Sequence, residues 1–437
     1  MSNQFFRFLI PVKGLRKILK ERFNLVQNIS EQLLIKSVKK KYRYAIEKIS
    51  GKDKYLVVFF MTESTSWKYN ALYEQMIESD CFEPIVVIIP FFSENEKIMR
   101  LRMKEASDFC KKFGLKYIDA FDENQGKYLD IKVLLDPDIV FFGHPYLGKM
   151  KQYTVLHFLD VLTCWVPYSI RQENLHLKGF FDQLSHNLFW RSYCESEIHL
   201  KLAKKYARNK GKNMVATGHP VIDTIRNTPK NNRSWNIESK DKKRIIWAPH
   251  WTIPGYQESF LNWSNFLYYA DYMLELARKF QDEIYFSFKP HPLLRRVLNQ
   301  DILWGLSRTN SYFKKWDEIG QVNESVYMQL FVDSDALIHD CGSFTIEYLA
   351  VNKPVLYCLR DSDIKKQFNE YGQRALESHY IAITKEHIYN FIKNTVLGNE
   401  DTLKRSRENF NKYMLNSEDK SSSEKIISDL LTNLKKN

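Results

Sequence analysis

The sequence predicts an α/β protein of two doubly wound parallel-sheet domains, preceded by a basic amphipathic helical arm. Three observations support this prediction. Short apolar runs of strand length alternate with helical patterns through most of the chain. A polar, charged stretch at residues 227–243 divides that alternation into two series, as a linker would. The first 50 residues contain 12 Lys and Arg but only 3 Asp and Glu, which sets them apart from the rest.

Length and composition agree with this organisation. The chain has 437 residues, enough for two domains that each bury a core, and 44% of them are apolar, as in a globular protein. The six cysteines include no C-x-x-C pair, so we expect buried thiols in a reducing compartment and no zinc knuckle. No apolar run approaches the roughly 18–20 residues of a membrane span, and no signal peptide is recognisable, which predicts a cytoplasmic location.

The arm, residues 1–50, has a net charge of +9, whereas the other 387 residues hold 53 basic and 49 acidic groups, a net of only +4. Its apolar residues recur at helical spacing: Leu15, Ile18, Leu19, Phe23, Val26, Ile29 and Leu33. Such a segment can lie on an anionic membrane surface, which predicts a peripheral protein on the inner face of the cell membrane. The alternative is a helix docked on the protein's own core. Charge confined to the arm, with no nucleic-acid motif, argues against nucleic-acid binding.

We divide the remainder into a first Rossmann-like domain at 51–228, a second at 242–400 and C-terminal helices at 401–437. Predicted strands of the first domain are 55–61, 85–90, 116–118, 139–142, 163–167 and 214–217, with helices including 68–79, 95–113 and 195–208. The second domain is predicted to have strands at 244–248, 283–288, 336–339, 355–359 and 380–384, and helices at 260–280, 325–332, 344–350 and 385–395. The closing helices are 402–413 and 421–436.

Residues 335–361 predict an anion site, because they read as strand, tight turn, short helix and strand. The first backbone N–H groups of a helix lack internal partners and attract anions. Gly342 would let a phosphate approach closely, and Ser343 and Thr345 add hydroxyl groups. Glu347, one turn further on, could accept hydrogen bonds from a ribose. The alternative is a purely structural Gly-Ser turn.

Polar clusters follow four predicted strands, where ligands bind in an open parallel sheet. They are residues 143–145, 250–252, 289–292 and 339–343, and the last three belong to the second domain, where they would point into one crevice. Proline after His291 would hold its imidazole at the rim of the sheet, and Lys289 offers a positive charge for phosphate. His339 could instead be the last inward residue of its strand, and His219-Pro220 would shape the entry to the linker. The remaining histidines are interpreted as structural: His157, His176, His186, His199, His379 and His387.

Several chemistries find no support. The sequence has no G-x-x-x-x-G-K-[ST] phosphate loop, no G-x-S-x-G elbow, no H-E-x-x-H motif and no G-x-G-x-x-G fingerprint. The histidines follow separate strands without a carboxylate cluster, so no metal site is predicted.

The motifs WAPHWT, FKPHPLL and DSDALIHDCGSFTIEYLAVNKPVLY resemble those of the CDP-glycerol glycerophosphotransferase family, the teichoic-acid polymerase-like enzymes that also occur in capsule synthesis. TGHPVID resembles the Gly-x-Pro-x-x-Asp segment that precedes the second domain in that family. The resemblance covers residues 139–361 and is strongest from 244 onwards.

The resemblance implies a GT-B fold in which the first domain serves the acceptor and the second binds CDP-glycerol, without a metal or cofactor. An acceptor hydroxyl would attack the β-phosphorus, and CMP would leave. His291 matches the family's His-Pro histidine, and the turn at Gly342 matches its Ser-Ser turn at the diphosphate. His144 matches the histidine of a His-Gly-Thr-Pro-x-Lys motif, a candidate base, although Gly-Thr-Pro is replaced here. His250 replaces a small residue, which points to a subfamily with another donor.

These expectations define the candidate site. His144 and His291 are predicted as catalytic, and the predicted donor-binding residues are His250, Thr252, Lys289, Asp340, Gly342, Ser343, Thr345 and Glu347. The predicted reaction moves glycerol phosphate, or a related polyol phosphate, from a CDP-activated donor to a glycan or lipid-linked acceptor in cell-surface polysaccharide synthesis. Two alternatives remain: a GT-B glycosyltransferase that uses a nucleotide sugar, and a membrane-bound scaffold without catalysis.

Overall fold

The computed structural model describes residues 13–91, 95–145, 150–237, 241–255, 263–324, 327–360, 362–415 and 420–434. Its strands are β1 (Tyr55–Met61), β2 (Phe82–Ile88), β3 (Tyr117–Asp119), β4 (Phe121–Asp122), β5 (Lys127–Tyr128), β6 (Ile139–Phe142), β7 (Leu162–Trp165), β8 (Arg191–Cys194), β9 (Met214–Ala216), β10 (Lys243–Ala248), β11 (Ile284–Phe288), β12 (Gln321–Val322), β13 (Ala336–His339), β14 (Val355–Cys358) and β15 (Tyr380–Ala382). They form two large sheets and one small antiparallel pair, β4 with β5.

Both large sheets are parallel. The first has the order β3-β2-β1-β6-β7-β8-β9 and the second β12-β11-β10-β13-β14-β15. In each, the chain winds outward from a central strand in both directions, which is the doubly wound arrangement that the sequence predicts. The central strands are almost wholly apolar and buried, as expected where helices cover both faces of a sheet.

Seventeen α-helices lie within the described residues. They are α1 (Lys13–Ile49), α2 (Asn70–Ile77), α3 (Glu96–Lys112), α4 (Ile131–Leu135), α5 (Leu177–Phe181), α6 (Leu184–Leu188), α7 (Glu197–Tyr206), α8 (Pro220–Asn227), α9 (Phe266–Lys279), α10 (Leu294–Gln300), α11 (Gly305–Ile319), α12 (Met328–Asp333), α13 (Phe344–Glu347), α14 (Glu370–Leu376), α15 (Lys385–Asn390), α16 (Lys404–Met414) and α17 (Ser422–Leu434). A π-helical stretch, Phe391–Leu397, continues α15.

The arm is helical over α1, but its two halves differ. Val38, Tyr42, Ala45 and Ile49 are buried in the core of the first domain. The apolar residues Leu25, Val26, Ile29 and Leu33 are 52–66% exposed. With 3.6 residues per turn the two sets fall on opposite faces of the helix. Residues 1–12, which the predicted arm includes, lie outside the described residues.

The C-terminal helix α17 returns to the first domain, where Ile426, Leu430 and Leu434 join its core. Asp223 accepts hydrogen bonds from the backbone N–H groups of Ser422 and Ser423 at 3.2 and 2.8 Å, and so connects α8 to the start of α17. The limits of the four segments that the sequence predicts, residues 1–50, 51–228, 242–400 and 401–437, stay a prediction.

Some elements differ from expectation. Strand β8 was not predicted, because its sequence RSYC lacks an apolar run. It lies between β7 and β9 in the sheet, and three of its four residues are buried. In the second domain, the helices α10, α11 and α14 and the short strand β12 were also missed. The helix predicted at 260–280 is α9, and residues 260–262 lie outside the described part. Within that part, no helix combines the length and apolar character needed to cross a membrane.

Candidate active site

Three adjacent strands of the second sheet bring the predicted polar clusters together. β10 pairs with β11 on one side and with β13 on the other. His250 therefore follows the middle strand, with Lys289 and Asp340 directly after its two neighbours. The expectation that these clusters meet at one edge of the sheet is confirmed by the pairing.

His250 and His291 form a pair whose ring centroids are 4.9 Å apart. The Nδ1 atom of His291 accepts the backbone N–H of Leu293 at 3.1 Å. The Nδ1 atom of His250 accepts the backbone N–H of Thr252 at 3.3 Å and lies 2.8 Å from its hydroxyl oxygen. A neutral imidazole carries one proton, so both rings must carry it on Nε2. Both therefore present an N–H donor, rather than a basic nitrogen, at that atom.

The electrostatics of the pair favour neutral rings beside a charged lysine. Burial lowers the pKa of His250 to about 3. Burial, followed by the nearby His250 and Lys289, lowers the pKa of His291 well below its usual value. Burial also lowers the pKa of Lys289 to about 8, so that its ammonium is still largely charged at neutral pH. The cluster therefore offers one positive charge and two neutral N–H donors.

Asp340 forms buried hydrogen bonds that position the backbone around the site. It is 3% exposed, and its two carboxylate oxygens accept the backbone N–H groups of His250 at 2.5 Å and Asn265 at 2.6 Å. Both oxygens are used by the protein itself, and Ser264 adds a side-chain hydrogen bond, so Asp340 positions the surrounding backbone, and its role in binding the donor stays a prediction. Burial raises the pKa of this carboxyl to about 7.

The turn that is predicted to bind phosphate, residues 340–343, packs tightly against neighbouring residues. A Cβ at Gly342 would lie 2.8 Å from Cζ3 of Trp263, which explains glycine at this position. Gln172 of the first domain donates through Nε2 to the carbonyl of Gly342. Helix α13 is only one turn long before the chain tightens into a 3₁₀ turn, so its dipole is small and cannot dominate anion binding.

The other residues that are predicted to bind the nucleotide-activated donor differ in how exposed they are. Thr252 and Thr345 are fully buried, and their hydroxyls bond to His250 and to the carbonyl of Cys341, so they support the site from within. Ser343 and Gly342 are partly exposed and can be reached by a ligand.

Glu347 is wholly buried in a contact between the two domains. Its Oε2 atom accepts the hydroxyl of Tyr327, while its Oε1 atom has no hydrogen-bond partner among the described residues. The hydroxyl oxygen of Tyr327 in turn accepts a hydrogen bond from the Lys68 ammonium at 2.6 Å. The Oε1 oxygen is itself buried, so the contact of Glu347 to a ribose stays a prediction.

His144 lies at the carboxyl end of β6, in the first domain. Its ring centroid is 4.8 Å from that of Tyr168 and 6.3 Å from that of Phe91. Burial lowers its pKa to about 4, so the ring is neutral at pH 7 and in the form that can accept a proton. Lys149, the other part of the motif that the sequence suggested, lies outside the described residues.

Sequence reasoning missed three residues of this site: Lys68, Gln172 and Tyr327. Lys68 lies seven residues beyond the end of β1, after the 3₁₀ turn Ser64–Ser66, so the rule that polar residues directly after strands are candidates does not reach it. Gln172 and Tyr327 carry no such signal either, because only the packing of one domain on the other brings them to the turn.

Comparison with known protein families shows which family the chain belongs to. A model of CDP-Glycerol:Poly(glycerophosphate) glycerophosphotransferase matches residues 189–432, more than half of the chain, and this segment contains all three second-domain clusters. The chain belongs to this glycerophosphotransferase family. The resemblance predicted from the motifs is confirmed.

Two curated relatives of this family member are wall-polymer enzymes. It is 29% identical over 214 residues to a teichoic acid poly(ribitol-phosphate) polymerase of Bacillus spizizenii, a match covering 44% of this chain and 31% of the relative. It is 24% identical over 184 residues to the teichoic acid ribitol-phosphate polymerase TarL of Staphylococcus aureus, covering 41% of this chain and 30% of the relative. The matches therefore span about a third of the length of these relatives.

Solved structures show the fold of this glycerophosphotransferase family member. The wall teichoic acid polymerase TagF matches with a TM-score of 0.54 at 14% identity, covering 98% of both chains. S. aureus MnaA, solved with UDP, matches with a TM-score of 0.55 at 16% identity over 88% of this chain and 98% of that one. The predicted GT-B-like arrangement of two Rossmann-type domains is thus confirmed.

Proposed function

We propose that the protein transfers glycerol phosphate, or a related polyol phosphate, from a CDP-activated donor to a hydroxyl of a glycan or lipid-linked acceptor in cell-surface polymer synthesis. The observation that carries this proposal is the cluster of Lys289, His250 and His291 at adjacent strand ends. Together they offer a charge and two N–H donors to a diphosphate, within the part of the chain that matches the family.

The reaction needs charge neutralisation and positioning more than covalent chemistry. The acceptor oxygen forms a bond to the β-phosphorus while the bond between that phosphorus and the bridging oxygen breaks. CMP leaves with the bonding electron pair, and its phosphate gains negative charge. Lys289 and the Nε2–H group of His291 are suited to stabilise this charge. Because its Nδ1 atom is occupied by Leu293, His291 acts as a hydrogen-bond donor and not as the base.

The acceptor proton must therefore go to another group. His144 is our candidate, because it is neutral at pH 7 and lies at the carboxyl end of the first sheet. Its low pKa makes it a weak base in the ligand-free protein, and the charge of a bound donor would raise that pKa. This assigns the acceptor side of the reaction to the first domain.

We also propose that α1 holds the enzyme on the cytoplasmic face of an anionic membrane, where a lipid-linked acceptor would be found. The exposed apolar residues Leu25, Val26, Ile29 and Leu33 supply a surface to insert, and the arm's net charge of +9 supplies attraction to anionic lipid.

The transfer is tested by incubating the full chain with CDP-glycerol, CDP-ribitol, UDP- or CDP-sugars and an oligomeric polyol-phosphate acceptor, with products followed by mass spectrometry. Release of CMP together with an acceptor extended by one polyol phosphate supports the proposal. Release of UDP or CDP from a sugar donor, without CMP, would establish a glycosyltransferase instead. Absence of CMP and CDP binding in calorimetry would establish a scaffold.

The membrane contact is tested by flotation with phosphatidylglycerol vesicles. Glutamate at positions 25, 29 and 33 should abolish binding while leaving a soluble-acceptor reaction intact. The matched control places glutamate at Asn24, Gln27 and Asn28, which adds the same number of negative charges on the side of the helix away from the apolar face. A shortened chain should end its deletion before Val38, since the residues that follow are part of the core. Equal flotation of the apolar-face variant and the parent would refute this role.

A further inference from the structure

Two buried lysines from opposite domains lie close enough for the charge of one to act on the other. Lys68 lies beyond β1 of the first sheet and is 7% exposed, and Lys289 directly follows β11 of the second sheet and is 5% exposed. Lys68 lies outside the segment that matches the family, which begins at residue 189.

Neither lysine has a carboxylate within ion-pair distance among the described residues. The Lys68 ammonium has three N–H donors and gives one of them to the hydroxyl of Tyr327, 2.6 Å away. The Lys289 ammonium makes no hydrogen bond within the described part of the chain. Buried charges are normally paired, since leaving them alone in a low-dielectric site is costly.

The two charges also act on each other. Burial is the main cause of the lowered pKa of Lys289, Cys341 and Glu324 oppose this effect, and the charge of Lys68 adds to it. The pKa of Lys68 is likewise lowered by burial, and Glu347 partly opposes this. The two ammonium groups therefore keep N–H donors that the described residues do not use, and these donors suit an anion that both groups can reach.

We propose that Lys68 supplies a second positive charge, from the first domain, to the diphosphate of a nucleotide-activated donor, so that the donor site is complete only when both domains meet. This inference rests on the proposed function. Tyr327 holds Lys68 in place through its hydroxyl, and Glu347 holds Tyr327, so that the contact between the domains positions the added charge.

The test compares the binding of CDP and cytidine to the full chain by calorimetry, because only CDP carries the diphosphate. In Lys68→Met the Kd for CDP should rise by about tenfold to a hundredfold, as expected for a charged hydrogen bond, while the Kd for cytidine stays unchanged. Lys68→Arg should restore most of the affinity for CDP, because it keeps the charge. Unchanged cytidine binding also shows that the variant is folded.

The matched control is Lys116→Met, which removes one positive charge from an exposed position of the first domain, where the lysine pairs with Glu83 at 2.6 Å. It should leave both affinities unchanged. An unaltered Kd for CDP in Lys68→Met, or an equal loss for CDP and cytidine, would overturn the assignment of Lys68 alone. If the parent protein binds neither compound, the proposed function fails together with it.

Discussion

The backbone N–H of His250 donates to Oδ1 of Asp340 at 2.5 Å, which joins the carboxyl ends of β10 and β13. The second oxygen of the same carboxylate accepts the N–H of Asn265, so one side chain joins both ends of the β10–α9 connection to the turn after β13. The backbone of His250, the turn after β13 and the start of α9 are thereby held in one arrangement.

Asp340→Asn should destabilise the protein by about 1–3 kcal/mol, because an amide group cannot accept from both backbone donors. The raised pKa of about 7 means that the folded state holds a proton that the unfolded state releases near pH 4. This group's contribution to stability is therefore full below pH 4 and falls as pH rises to about 7, a slope that the variant should lack. Urea unfolding at several pH values measures both effects, with exposed Asp271→Asn as the control. An identical slope in parent and variant would contradict the assignment.

His291→Asn should lower the rate of CMP release by about 10²–10³-fold, the usual effect of losing one donor to a developing oxyanion. Asparagine can still accept the N–H of Leu293, so the turn is retained while the Nε2–H donor is lost. Thermal unfolding should be nearly unchanged. His387→Asn, at an exposed histidine of the same domain, provides the comparison and should retain full activity. A large drop in Tm without loss of rate per folded molecule would show a structural role instead.

Lys289 should give donor use a pH limit. Because the pKa of this buried lysine lies at about 8, its charge is lost as pH rises through that value, and kcat/KM for the donor should fall above about pH 8. Lys289→Arg should remove this limb of the profile, since arginine stays protonated throughout. The measurement is kcat/KM for the CDP-activated donor between pH 6 and 10. If parent and variant fall together, another group is responsible.

Gly342→Ala should destabilise the second domain by about 1–3 kcal/mol, as overpacked sites do, and should reduce donor binding. The added methyl would meet Trp263, which cannot easily move because its ring stacks on Phe368 at 5.7 Å and its Nε1 donates to Gln367 at 3.1 Å. At Gly179 the nearest atom to an added Cβ is 3.8 Å away, so Gly179→Ala should be neutral. Thermal unfolding and CDP calorimetry of the two variants give the comparison. Equal behaviour would show that the turn has room to adjust.

Asp223→Ala should loosen the C-terminal helix from the first domain. The carboxylate accepts two backbone N–H groups and the hydroxyl of Ser423, and its loss leaves buried donors unsatisfied at a cost of about 1–3 kcal/mol. Hydrogen exchange should show early opening of α17 while the second sheet keeps its protection. Uniform loss of protection over the whole chain would instead indicate a single cooperative unit.

Much of the site could be predicted because the relevant information is local. His250, Lys289 and Asp340 each follow an apolar run that can only be a buried strand, and parallel strands present their ends at one edge. The same reasoning could not tell which predicted residues face a ligand. Thr252 and Thr345 look like donors to phosphate in the sequence, yet their hydroxyls are used inside the protein.

The sequence by itself determined the class of fold, the family and the polar clusters that follow three strands of the second domain. Strand length, turn chemistry and motif spacing all depend on neighbouring residues. Only the tertiary structure decided that β10 lies between β11 and β13 and that the imidazoles of His250 and His291 lie 4.9 Å apart. It also decided that Lys68 of the first domain donates a hydrogen bond to Tyr327 of the second. These relations join residues far apart in the chain. They follow from how the sheets are ordered and how the domains pack, which no local pattern encodes.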